Sequence, residues 1–222
     1  MEFPLIILVI GAVIAVVGLI IFGVYKYEKA RTEQFQAVSD ELGLQFHPKG
    51  DPAFQSSISH HRLFNQGHSR RTKNMIFGQT EDVELAIFGY RYTTGSGKHQ
   101  QTHQQTVISF QSPHLALPEF ELRPESFFHK IGKVFGYTDV NFDSHPLFSK
   151  RCLLRGANEA AIRDLFTPEL LAFFEVQEGV SVEASKDGLI YYRASKRIKP
   201  TDVRTFMEEG FRVYGILKTP AT

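Results

Sequence analysis

The stretch closest to a chemical device is YTTGSGKHQQT, Tyr92 to Thr102, where Gly95-Ser96-Gly97-Lys98 has the outline of a phosphate-binding loop. Such a loop needs Gly-x4-Gly-Lys-Ser/Thr between a strand and a helix. Its glycines let backbone N–H groups wrap the phosphates, the lysine neutralises them, and the hydroxyl holds magnesium. Here the first glycine position is Tyr92, the hydroxyl position is His99, and a β-rich run follows. Three requirements fail together, so no nucleotide site is expected. Gly95-Ser96-Gly97 reads instead as a hairpin tip. Exposed tips carry binding more often than stability, which makes Tyr92 and His99 the candidate binding residues, flanked by Tyr90 and Thr102 to Thr106.

Other groups point to metal or acid–base chemistry and then fall short of it. His99 and His103 would share an ion on a helix, but on a strand they lie about 13 Å apart. His60, His61 and His68 cluster loosely in SHHRLFNQGHSRR without zinc-site spacing. Asp139-x-Asn141-x-Asp143 opens like a calcium loop. However, the required glycine at position six is Ser144, and the bidentate glutamate at position twelve is Lys150. No metal and no cofactor is expected. Asp143 and His145 remain the candidate pair for acid–base catalysis. Gly67-His68-Ser69 lacks the second glycine of a nucleophile elbow. Cys152, the single cysteine, reads as a small apolar residue within RCLLR.

These groups must be positioned by a chain that begins with a membrane anchor. Residues 3–25 carry no charge, and 23 residues at helical rise span roughly 35 Å, enough for a hydrocarbon core of about 30 Å. The run is too long, and its n-region too acidic, for a cleaved signal peptide. Lys26, Lys29 and Arg31 flank its C-terminal end against Glu2 alone at the other, predicting the N-terminus outside and the remainder in the cytoplasm. Gly11, Ala15 and Gly18 form a small-residue stripe suited to a homodimer of anchor helices. The 25 Lys+Arg and 24 Asp+Glu nearly balance, which argues against a nucleic-acid partner.

Periodicity and turn chemistry predict an α+β fold of antiparallel strands and helices, as one domain or two lobes. A juxtamembrane helix is expected over 26–43, with Phe35, Val38 and Leu42 on one side and Gly43 as cap. A β-rich lobe over 44–136 holds three meandering strands, NMIFGQ, VELAIFGYRYT and QTVISF, and a closing helix from Pro124 through Phe127, Phe128, Ile131 and Val134. Residues 53–68 carry no clear pattern. The α+β lobe over 137–222 opens with a strand over LFSKRCLLRG. Helices capped by Asn158 and Thr167 follow, then a hairpin around Asp187-Gly188 and a final helix from Pro200.

Four successive phrases, GYRYTTGSGKHQQTHQQTV, LPEFELRPESFFHKIG, VNFDSHPLFSKRCLLRGANEAAIRDLF and LIYYRASKRI, resemble an uncharacterised family of bacterial single-pass membrane-anchored proteins, a domain of unknown function. The resemblance implies one cytoplasmic module behind one anchor and carries over no functional residue. With no complete catalytic signature, the sequence points to a membrane-tethered interaction module with the bilayer and a protein as partners. The alternative is a membrane-anchored, hydrolase-like enzyme using Asp143, His145 and the His60/His61 region. Two basic runs, Arg70-Arg71-Lys73 and Arg193-Lys196-Arg197-Lys199, could lie against an anionic leaflet.

Overall fold

One helix, α1 (Glu2–Leu42), runs without a break from the apolar N-terminus into the folded domain. The computed structural model describes residues 2–125 and 139–218. Large apolar side chains from Ile10 to Tyr25 stand exposed all round the helix, which over Ile10–Leu42 is long and apolar enough by length and composition to cross a membrane. Further along, the same helix becomes amphipathic. Phe35 is buried on the sheet and Val38 and Leu42 pack beside it, while Gly43 ends the helix at φ +68°. Burying a phenylalanine in this way contributes about 2–3 kcal/mol to holding helix and domain together.

The domain is built on one antiparallel sheet of eight strands: β1 (Gln45–His47), β2 (His68–Gln79), β3 (Glu84–Thr94), β4 (Gln101–Gln111), β5 (Leu117–Pro124), β6 (Cys152–Gly156), β7 (Val180–Lys186) and β8 (Gly188–Arg193). Their spatial order is β1-β2-β3-β4-β8-β7-β5-β6. The expected segments 44–136 and 137–222 therefore interleave, because β4 pairs with β8 and β5 inserts between β7 and β6. The three-strand meander is as expected, each strand longer than its apolar core.

Alternation gives the sheet two different faces. One carries Ile76, Ile87, Ile108, Phe110, Leu122 and Tyr191 and is covered by α1 and the C-terminal helix α6 (Val203–Leu217), which buries Val203, Phe206, Val213 and Leu217. Toward β6 the same core continues under α4 (Glu159–Leu165) and α5 (Pro168–Glu175). Asn158 and Thr167 cap these helices by accepting from the Ala161 and Leu170 N–H groups. The other face carries Phe88, Tyr90, Tyr92, Ile190 and Tyr192. Its cover is the patternless stretch of the sequence, which forms α2 (Pro52–Ser57) and two 3-10 turns, Ile58–His60 and Arg62–Asn65.

Three local expectations change. LPEFELRP is strand β5, with Pro124 at its end opposite Cys152, and 3-10 conformation begins one residue later, at Glu125. The helix expected through Val134 lies outside the described residues. LFSKRCLLRG splits into helix α3 (Pro146–Arg151) and strand β6, because Pro146 occupies the first helical turn and Phe148 turns into the core. In the β7–β8 hairpin, Ser185 pairs with Gly188. The two loop residues are Lys186 and Asp187, and Lys186 holds the left-handed conformation at φ +56°.

Candidate functional site

A cleft of about 500 Å³ opens where α1 leaves the domain on its way to the apolar segment. Val24, Tyr27, Glu28, Arg31 and Phe35 of α1 form one wall, and the ends of β2, β3 and β4 form the other. From Val24 to Arg31 the helix rises only about 10 Å, so the cleft begins within the last turn of the apolar run.

The sheet wall is basic for a local reason. Between Lys73 and Ile76 the register of β2 against β3 slips by one residue, with Asn74 bulged at φ +50°. The bulge is pinned from both sides: the Asn74 N–H donates to the Pro48 carbonyl, and Thr32 of α1 donates to the Asn74 Oδ1 at 2.9 Å. Without the extra residue, Lys73 and Ile76 would point to opposite faces. With it, Lys73 pairs with Gly89 and Arg71 with Arg91, all on the α1 side.

The charges in the cleft are unequal. Arg197 reaches in from the loop after β8 and binds Glu28 through two bonds of 2.8 and 3.1 Å, which holds the Glu28 carboxyl below its ordinary range. Arg31 is buried, donates to the Ile198 carbonyl at 2.7 Å and lies over the Phe35 ring. That leaves Arg71, Lys73 and Arg91, which make no ion pair and no side-chain hydrogen bond among the described residues. Arg71 and Arg91 are direct cross-strand partners, an arrangement that costs free energy unless an anion lies between them.

Part of this set was legible beforehand. Arg71, Lys73 and Arg197 come from the two basic runs, which the fold brings together; Arg91 joins them unannounced from within a strand. Other members of the runs are used elsewhere. Arg70 ties the Asn65, Gln66 and Gly67 carbonyls together, and Arg193 pairs with Glu209 at 2.7 Å. Arg31, expected to flank the anchor, is a domain contact, whereas Lys26 and Lys29 remain on exposed helix.

The hairpin tip behaves differently from expectation. Gly95 and Gly97 take positive φ in a strand–turn–strand connection, as expected. Tyr90 and Tyr92, however, are not exposed handles: they are 1% and 4% exposed and belong to the aromatic core beneath the 3-10 turns. The Tyr92 hydroxyl donates to Gln66, and its ring stacks on His103 at 4.7 Å. Alternation sends even-numbered β3 residues inward here, so only His99 of the expected pair is on the surface.

On this second face the structure gathers a buried charge network that sequence reasoning missed. Glu121 of β5 contacts Arg62 at 3.0 Å, Arg155 of β6 at 3.3 Å, and Arg123 of its own strand. Beside it Glu183 of β7 accepts from the Leu63 N–H at 3.1 Å and from the Tyr192 hydroxyl at 3.0 Å. Arg62 and Leu63 belong to a 3-10 turn, so these carboxylates clamp the irregular cover onto the sheet. The signal was present in LPEFELRP, where Glu121 and Arg123 alternate with Phe120 and Leu122.

The catalytic alternative does not assemble. A small cavity of about 60 Å³ is bordered by His60, His61, Arg62, Glu121, Arg155 and Glu183, and neither Asp143 nor His145 borders it. Burial, assisted by the neighbouring His60, pulls His61 down to about 3, so its imidazole is neutral. His145 sits at the start of α3 with its Nδ1 at 3.1 Å from Ser144, and Asp143 is on the surface. Asp139 accepts from the Leu154 N–H, a structural use of the calcium-like segment. Cys152 is buried, which pushes its thiol up to about 11 and leaves it unreactive. No cluster of metal-ligating groups occurs among the described residues.

No family model matches the chain, and no curated protein matches it. Among solved structures, the crystal structure of the mycobacterial trehalose monomycolate transport factor A, TtfA, is similar. The TM-score is 0.58 at 12% identity, and the match covers 86% of this chain and 98% of that one. At that identity the likeness is one of fold alone, an α+β architecture.

Proposed function

We propose that this protein is a membrane-tethered interaction module, with its N-terminus outside and its domain in the cytoplasm, that lays the basic cleft face against an anionic leaflet. The observation that carries this reading is the exposed set Arg71, Lys73 and Arg91, held in no salt bridge among the described residues and set beside the end of the apolar helix. Near an anionic surface each such charge contributes about 1 kcal/mol, so three of them bias the domain toward the membrane by a few kcal/mol. A protein partner would then meet the surface left in water, and His99, on the β3–β4 tip just beyond the Arg91–Gln104 pair of the cleft, is exposed at its edge. A binding role also agrees with the scattering of Asp143, His145 and the His60/His61 pair over separate places.

The test uses the full-length protein in nanodiscs of phosphatidylcholine alone or with phosphatidylglycerol. Lysine acetylation is followed by mass spectrometry, with Lys186 on the β7–β8 turn as internal reference. Lys73 and Lys29 should react several-fold more slowly in the anionic discs, and 1 M salt, which shortens the Debye length to about 3 Å, should remove the difference. Equal reactivity in both discs would refute the docking. A reporter active only outside the cytoplasm, fused after Thr222, should stay silent, and a strong signal would reverse the orientation.

A further inference from the structure

Lying on a charged surface requires only a basic face, but the structure has more than a face. The cations stand along a wedge whose other wall, on α1, combines apolar Val24, Tyr27 and Phe35 with Glu28 and Arg31, which are already bonded to Arg197 and to the Ile198 carbonyl. Val24 and Tyr27 extend the lipid-facing surface of α1 directly into the cleft, and Phe35 closes its deep end. The volume of about 500 Å³ falls within the range of sites built for small ligands. Gly89, the cross-strand partner of Lys73 and two residues from Arg91, contributes no side chain, which leaves space next to both cations.

The charge arrangement also selects the ligand. A guanidinium pair across two neighbouring strands, with a lysine one row below, presents several donors to a single anion with more than one oxygen. Glu28 does not supply that anion, because both its oxygens are taken by Arg197. We infer that the cleft takes one anionic phospholipid from the adjoining leaflet, its phosphodiester held by Arg71, Lys73 and Arg91 and its chains against Val24 and Tyr27. This rests on the docking reading and adds to it a defined stoichiometry and a requirement for space as well as charge. The lipid relieves the Arg71–Arg91 repulsion and fills the wedge between helix and sheet, so it stiffens the joint between anchor and domain.

Two full-length variants separate space from charge. Gln104→Trp, at an exposed cleft position opposite Arg91, fills the wedge and keeps every cation. Arg91→Gln keeps the space and removes one cation. Native mass spectrometry of wild type released from phosphatidylglycerol nanodiscs should show one retained phosphatidylglycerol per chain, and none from phosphatidylcholine discs. Both variants should lower that adduct at least five-fold. Gln104→Trp should still show the salt-sensitive protection of Lys29, because docking needs only charge. If Lys29 is protected but no adduct survives, or if Gln104→Trp leaves the adduct unchanged, the single-lipid site is wrong while docking stands. If protection itself is missing in wild type, the docking reading has failed. An adduct with inorganic phosphate, equally strong without lipid, would show a soluble anion site and overturn the lipid assignment.

Discussion

Replacing Glu121 by glutamine should be among the most damaging single changes in the domain, although it alters the side chain by one atom. The carboxylate is 8% exposed and its two oxygens face three guanidiniums, from Arg62, Arg123 and Arg155. At an effective dielectric of about 20, unit charges 4 Å apart attract by about 4 kcal/mol, and desolvation opposes this by several kcal/mol per ion. The net value of the intact network is therefore small, but the cost of breaking it is not. In Glu121→Gln the three guanidiniums lose the carboxylate they share, and the new amide N–H₂ points a donor at one of them. The expected loss is about 3–5 kcal/mol. At about 2–4 °C per kcal/mol for a domain of this size, Tm should fall by roughly 6–20 °C. Near-UV circular dichroism of the eight tyrosines provides the signal, since the chain has no tryptophan. The decisive comparison is Glu121→Gln with Arg123→Met, which restores the charge count and should recover at least half of the loss, a coupling of about 1–3 kcal/mol. If the single variant unfolds within about 1 kcal/mol of wild type, or if the two changes are additive, the network is not holding the irregular cover to the sheet.

The buried His61 predicts an acid-side weakness. Its folded-state value of about 3 lies below the ordinary 6.5, so the unfolded chain takes up the proton first, and stability present above pH 6.5 is lost as pH falls toward 3. Between pH 7.5 and 5 this amounts to at most about 2 kcal/mol, and His61→Leu should shrink the drop in Tm over that interval by about 4–8 °C. An identical drop in both proteins would mean that His61 titrates normally. In the anchor, Cβ atoms added at Gly11 and Gly18 would meet nothing within 4 Å, so that stripe is open to a second helix. Gly11→Ile with Ala15→Ile should lower self-association at least several-fold in a membrane two-hybrid assay, and an unchanged signal would show that the stripe is not an interface.

Local chemistry settled much of this protein before folding was considered. An uncharged run of helical length, the Asn158 and Thr167 caps, the glycines at 95 and 97 and the alternation in VELAIFGYRYT each act over a few neighbouring residues. The apolar helix, the α+β class, the β2–β3–β4 meander and the β7–β8 hairpin could therefore be read from those residues alone. Tertiary structure decided what depends on partners far apart in the chain. The strand order depends on which apolar faces bury best together, so strands from residues 44–136 and 137–222 interleave in one sheet. Tyr92 is inside because the 3-10 turns around Arg62 cover its face, and nothing near Tyr92 in sequence announces that cover. Glu121 looks like an ordinary wet position until Arg62 and Arg155 arrive from 59 residues upstream and 34 residues downstream. The basic cleft exists because one bulged residue, Asn74, turns Arg71 and Lys73 toward α1. A one-residue slip in register changes faces for a whole strand end, and that depends on pairing between strands, which short-range sequence pattern does not encode.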